Sequence, residues 1–240
     1  MTSQLVVHRV IDRADPTSVT RLARAGVATA HEAQGRSGLL APYLRPIYDG
    51  PGVAGSAVTV LCQPGDNLMV HLAVECCRPG DILVVGVSSP TAGGMIGELL
   101  ATSLRAYGAI AAIVDAGVRD IAELHEIGFP VWARMVSAQG TCKDSAGSVN
   151  TPIICAGQLV RPGDVIVADR DGVLAVPREE AANVAQASEQ RLSREELVRQ
   201  RLARGELGAD IYGLRAVAQG LGIVYPDLDD SGETKHGLRE

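Results

Sequence analysis

Short apolar runs separated by turns that carry glycine or proline dominate most of this chain. Gly55–Cys62, Ile82–Val87, Ala109–Asp115, Val131–Met135 and Val165–Ala168 are rich in Val, Ile, Leu and Ala and read as strands. Gly172–Pro177 pairs back on the last of them through the hairpin turn Asp169–Gly172. Between the strands the apolar positions take a helical period, predicting helices over 15–33, 67–77, 95–107 and 119–127. Asp15 can cap the first of these, with Pro16 at the tolerated first position, and Asp66 can cap the second. Gly108 and Gly128 end the third and fourth, and Gly117 is expected to form a sharp turn after its strand.

The triplet Pro-Gly-Asp recurs at 64–66, 79–81 and 162–164, each time just before a strand or helix. Recurrence at element boundaries marks structural punctuation rather than a reactive site. From Arg178 a long helix runs to about residue 204, with Glu and Arg at supporting i,i+4 spacings. The expected organisation is one body over 1–204 and a mixed, polar extension over 205–240 that packs on the body or on a neighbouring subunit.

Composition narrows the function classes. Hydrophobic content is 46% but aromatic content only 3%, so a packed sheet-and-helix core is favoured over an aromatic platform for single strands. Net charge is -6, which offers no basic surface for a duplex. Arginines do bunch over 191–205, interleaved with Glu195, Glu196 and Glu206, and a solvated helical face accounts for them better than nucleic-acid contact. No secretory leader or apolar run long enough for a membrane span is expected. Cysteines 62, 76, 77, 142 and 155 lack zinc spacing and read as small hydrophobes in a reducing cytoplasm.

The chemistry concentrates between Ser88 and Asp120. Gly97 and Glu98 open the helix 95–107, whose free N–H groups suit a carboxylate or phosphate. Gly93 and Gly94 either let an anion approach that backbone or form an ordinary flexible turn. Asp115, Arg119 and Asp120 close the following strand, and the short turn between them can bring all three to the cleft of Glu98. Asp120 and Glu98 would gather a hard divalent cation, with Arg119 gripping a substrate carboxylate; alternatively, Asp120 caps the next helix and Arg119 pairs at the surface. Competing chemistries lack their residues. There is no Walker or dinucleotide loop, no His-Glu-x-x-His around His71 or His125, and no hydrolase elbow around Ser103 or Ser137. The two lysines, Lys143 in a polar loop and Lys235 in the tail, are poor candidates for a desolvated imine-forming residue.

Glu98, twenty intervening residues and Arg119-Asp120 resemble the signature of the class II 4-hydroxy-4-methyl-2-oxoglutarate / 4-carboxy-4-hydroxy-2-oxoadipate aldolases, within the wider group named for the regulator of ribonuclease activity A. Similarity continues through Gln63–Asn67, Gly128–Trp132, Ser137–Gly140, Gly147–Asn150 and Pro162–Asp164. The resemblance implies an α/β chain with a swivelling β/β/α body, a helical C-terminal extension, and assembly as trimers or hexamers. It implies Mg2+ or Mn2+ held by Asp120, with Glu98 acting through water, and small 4-hydroxy-2-oxo acids as substrates. Arg119 resembles the residue that binds and polarises the pyruvyl group, and the backbone Gly97-Glu98-Leu99-Leu100 the loop that receives its carboxylate. Glu195 or Glu196 stands where a neighbouring subunit's carboxylate would approach. The implied reaction releases pyruvate with oxaloacetate or a second pyruvate, with oxaloacetate decarboxylation as a side activity. A dedicated oxaloacetate decarboxylase, a non-catalytic regulator of an RNA-degrading enzyme and a demethylmenaquinone methyltransferase are the alternatives, the last without a nucleotide-type glycine loop to support it.

Overall fold

The computed structural model describes residues 5–47 and 50–225. The chain forms two compact units, Met1–Leu192 and Ser193–Glu240. In the first unit, α1 (Pro16–Ala33) precedes β1 (Arg45–Pro46) and β2 (Val53–Cys62), and α2 (Leu68–Ala73) leads to β3 (Asp81–Val87). Next come β4 (Gly94–Ile96), α3 (Glu98–Ala106), β5 (Ala111–Val118), α4 (Ile121–Glu126) and β6 (Val131–Val136). The short strands β7 (Ser148–Val149), β8 (Ile153–Cys155) and β9 (Gln158–Val160) follow, then β10 (Val165–Ala168), β11 (Val173–Val176) and the start of α5 (Ala181–Ala203).

One mixed sheet runs in the order β1-β6-β5-β3-β2-β10-β11, with β4 added beside β5 and β7 beside β2. β2, β3, β5 and β6 are parallel, and β10 and β11 join antiparallel. This is the expected swivelling β/β/α architecture. Both faces of the central strands are covered, which explains why they read as continuous apolar runs. Ala112, Val114, Ala116 and Val118 of β5 face a core shared with Met69 and Val70 of α2 and Leu100 and Leu104 of α3. Ala111 and Ile113 face a second core, with Ile166 of β10 and the β8–β9 hairpin. α1 and the start of α5 close a third cluster over β10 and β11.

The three Pro-Gly-Asp triplets fold identically. Gly65, Gly80 and Gly163 have φ of 72°, 92° and 85°, and each Asp N–H returns to the carbonyl three residues earlier, as a type II turn requires. Asp66, Asp81 and Asp164 are all buried and hold nearby backbone N–H groups. Asp15 caps α1 as expected, accepting from the Ser18 N–H at 2.8 Å.

Several expected boundaries move. Residues 94–96 are strand, not helix, because they pair with β5, and helix α3 begins only at Glu98. Gly117 is not a turn: it lies within β5, where a Cβ would meet the Ala92 carbonyl at 2.6 Å. α1 kinks at Gly26, whose φ is 76°. Four of the five cysteines are buried, and burial pushes the Cys62 and Cys77 thiols up to about 12. Cys142 departs from that reading, since it is exposed.

The second unit contributes the end of α5, α6 (Gly208–Ile211) and α7 (Leu214–Gly220). Its described part is tied by surface ion pairs, Arg201 and Arg204 to Glu206 and Arg215 to Asp210. Lys235 lies outside the described residues. Among the described residues no helix is long and apolar enough to cross a membrane.

Candidate functional site

Because β4 runs parallel to β5, the junction of β4 with α3 and the junction of β5 with α4 end side by side. The first junction is Gly97; the second is Arg119-Asp120. The Arg119 N–H donates to the Ile96 carbonyl at 3.0 Å and locks the two together.

Asp120 has φ 58° and ψ 47°, a left-handed conformation that costs a non-glycine residue about 1–2 kcal/mol. In that conformation its carboxylate does not cap α4. Instead Oδ2 accepts the Glu98 N–H at 3.0 Å and lies 3.5 Å from Nε of Arg119. The alternative in which Asp120 caps its own helix is therefore set aside. Gly97 sits beneath this pair: a Cβ there would stand 2.2 Å from Asp120 Oδ2 and 3.1 Å from Arg119 Nε. Backbone strain at Asp120 and the absence of a side chain at Gly97 serve one arrangement, which is how functional sites store strain.

The other expected members divide. The Glu98 carboxylate accepts the Thr102 hydroxyl at 2.9 Å, one turn along α3. Leu99 is 81% exposed and Leu100 buried, and their N–H groups fall in the first turn of α3, where no intrahelical acceptor exists. Asp115 does not join the cleft. Its carboxylate is buried among Arg134 Nη2 at 2.7 Å, Arg134 Nε at 3.0 Å and the Ala156 N–H at 2.8 Å. Strand alternation places it on the Ile113 face, opposite to Ala116 and Val118. Gly93 and Gly94 form no anion cradle either, because their N–H groups go to Thr91 Oγ1 and the Gln139 carbonyl.

Gly97, Leu99, Leu100, Arg119 and Asp120 line a cleft of about 160 Å³ together with Asn67 and His71 of the α2 segment and Thr141 and Lys143 of the loop after β6. These last four were not singled out from sequence as site residues. Asn67 is buried; its Nδ2 donates to the Met95 carbonyl at 3.0 Å, while Oδ1 is buried without a partner. Partial burial, and then the Lys143 ammonium, hold the His71 imidazole below its ordinary value. A larger cavity of about 420 Å³ lies between the end of α1 and the start of α5, but no cationic side chain lines it.

Asp66 joins the two segments that complete the cleft. Its Oδ1 accepts the Leu68 N–H, and its Oδ2 accepts the N–H groups of Asp144 and Ser145, all at 2.8 Å. Desolvation pushes its carboxyl up, but these three donors outweigh it and bring the pKa to about 2 from an ordinary 3.8. A depressed carboxylate pKa adds stability above the unfolded value, and that stability is lost as pH falls through the folded one. Asp66→Asn is expected to lower unfolding free energy at pH 7 by about 2–3 kcal/mol, the scale of hydrogen bonds to a charged acceptor. In urea titrations the gap to the parent closes as the pH drops from 3.8 to about 2. A gap that stays constant across that range would remove the carboxylate charge as its cause.

Among the described residues no three His, Cys, Asp or Glu side chains converge on one point. The oxygen acceptors in the cleft nevertheless suit a hard cation that keeps most of its shell as water and substrate. Asp120 Oδ1 has no hydrogen bond among the described residues, and Asn67 Oδ1 is the buried acceptor left without a partner.

A family model for RraA-like proteins, Aldolase/RraA, matches residues 6–175. A Halalkalibacterium halodurans protein provisionally named 4-hydroxy-4-methyl-2-oxoglutarate aldolase is 31% identical over 153 residues, covering 64% of this chain and 73% of its own. A Burkholderia multivorans protein with the same provisional name is 34% identical over 148 residues, covering 60% and 90%. Among solved structures, a Streptomyces coelicolor protein described as an unusual member of the RNase ES inhibitor RraA family superposes with a TM-score of 0.71 at 26% identity. That match covers 80% of this chain and all of the other.

Proposed function

This chain belongs to the RraA-like family, and on that premise we propose that it is a class II aldolase that cleaves 4-hydroxy-2-oxo acids with release of pyruvate. The observation that carries the reading is the clustering of Asp120, Arg119 and the open first turn of α3 around Gly97. Asp120, with Asn67 Oδ1 nearby in the same cleft, would hold Mg2+ or Mn2+, and Glu98 would act on it through water. When bound, the metal supplies positive charge beside the 2-keto oxygen.

The chain's own residues do the rest. Arg119 keeps Nε beside Asp120, which leaves its terminal nitrogens for the pyruvyl end of the substrate. The Leu99 and Leu100 N–H groups receive the pyruvyl carboxylate at the positive end of α3. A base takes the proton of the 4-hydroxyl, and the C3–C4 bond breaks with its electron pair passing into the pyruvate enolate. Arg119 stabilises the charge that gathers on the enolate oxygen. Protonation at C3 then completes pyruvate, and the C4 fragment leaves as oxaloacetate or as a second pyruvate. Decarboxylation of oxaloacetate passes through the same enolate and is expected as a side activity. The proposal includes a homotrimer or hexamer in which Glu195 or Glu196 of a neighbouring copy approaches the site.

The test is pyruvate release from 4-carboxy-4-hydroxy-2-oxoadipate, 4-hydroxy-4-methyl-2-oxoglutarate and oxaloacetate, with Mg2+, Mn2+ or EDTA. Release from an aldol that EDTA abolishes and either metal restores is the expected result. Turnover of oxaloacetate alone would make the protein a dedicated decarboxylase. No turnover, combined with inhibition of an RNA-degrading enzyme, would favour the regulator reading, to which the similarity to the Streptomyces coelicolor protein lends support.

A further inference from the structure

Two basic side chains of the cleft have no task at the pyruvyl end, Lys143 and His71. The chain has only two lysines, and the one within the described residues lines this cleft. Among the described residues Lys143 makes no ion pair, and the adjacent Asp144 carboxylate is engaged by the Ser145 hydroxyl at 3.1 Å. The loop that carries Lys143 is held on both sides of it. The Asn67 N–H donates to the Cys142 carbonyl and the Cys142 N–H to the Gly65 carbonyl, while Asp66 accepts from Asp144 and Ser145. An exposed lysine on a pinned loop, facing a cleft that already holds an arginine, is a second anchor for negative charge.

Resting on the aldolase reading above, we propose that Lys143, assisted by the His71 N–H, binds the carboxylate carried on C4 of the substrate. The site then selects 4-hydroxy-2-oxo acids with a carboxylate on C4 over those with an alkyl group or hydrogen alone. The charge balance supports this. Arg119 and Lys143 face a single lining carboxylate, Asp120, and a divalent cation adds to the positive side. A substrate with one carboxylate leaves that field uncompensated; one with a second carboxylate on C4 matches it. His71, held neutral by burial and by Lys143, contributes one N–H donor rather than a further charge.

Calorimetry with Mg2+ present tests the subsite without turnover. 2-Oxoglutarate and 2-oxopentanoate share the pyruvyl end and differ in a carboxylate against a methyl group at the far end. The parent protein is expected to bind 2-oxoglutarate about 10- to 100-fold more tightly, the scale of one charge-assisted contact. Lys143→Met should remove that preference and leave 2-oxopentanoate unchanged, while Lys143→Arg retains most of it. In turnover, Lys143→Met should raise KM for 4-hydroxy-4-methyl-2-oxoglutarate and spare 4-hydroxy-2-oxopentanoate. Equal weakening of both ligands, no weakening of either, or a parent without preference each overturns the subsite. A parent that neither binds 2-oxopentanoate nor cleaves any aldol overturns the aldolase reading itself, and this inference with it. Thermal melts of Lys143→Met within a few degrees of the parent separate these outcomes from misfolding.

Discussion

Replacing Asp120 with Asn is expected to lower metal-dependent pyruvate release by about 10³-fold or more, the cost of removing the charged group on which the electrostatic stabilisation is built. Asn is the informative replacement because it tolerates the left-handed backbone that Asp120 adopts at φ 58°. Its amide oxygen can still accept the Glu98 N–H, so the junction keeps its geometry. The ion pair lost with the charge, Arg119 Nε to Asp120 Oδ2 at 3.5 Å, joins two half-exposed groups and is worth about 0–1 kcal/mol. The melting temperature should therefore move by only a few degrees, while Mn2+ binding followed by electron paramagnetic resonance disappears. Retained Mn2+ binding and turnover in a folded Asp120→Asn protein would place the metal elsewhere.

The same junction shows what the sequence could and could not disclose. Glu98, Arg119 and Asp120 stood out because their spacing spans one helix, one strand and one turn, and the parallel pairing of β4 with β5 brings their backbones together. Asp115 belonged to the same short stretch, but strand parity turns it to the opposite face, beside Arg134. Gly117 looked like a turn residue, yet it serves close packing against the Ala92 carbonyl inside a strand. β4 was read as helix because three residues are too few to display a period of two before α3 begins. Asn67, His71 and Lys143 come from segments far away in the chain, so no local pattern could unite them with Arg119. The one local hint was the Pro-Gly-Asp triplet at 64–66. Its aspartate, alone of the three, clasps the loop that carries Lys143.

Arg119→Lys separates charge from shape. Lysine keeps the positive charge but loses the planar fork that can hold the pyruvyl carboxylate or keto oxygen through two N–H groups. It also loses Nε, the atom nearest Asp120 Oδ2 and Gly97. The donor aimed at the developing enolate oxygen is then displaced, and kcat should fall by about 10²- to 10³-fold, as for loss of one oxyanion donor. KM should change less, because the α3 N–H groups and Lys143 still hold the two ends of the substrate. Mn2+ binding should persist, unlike in Asp120→Asn, since Arg119 offers no ligand to a cation. Undiminished kcat in Arg119→Lys would mean that a point charge suffices and the fork is unused. Loss of Mn2+ binding would instead show that Arg119 works by positioning Asp120, the residue it lies beside, rather than by touching the substrate.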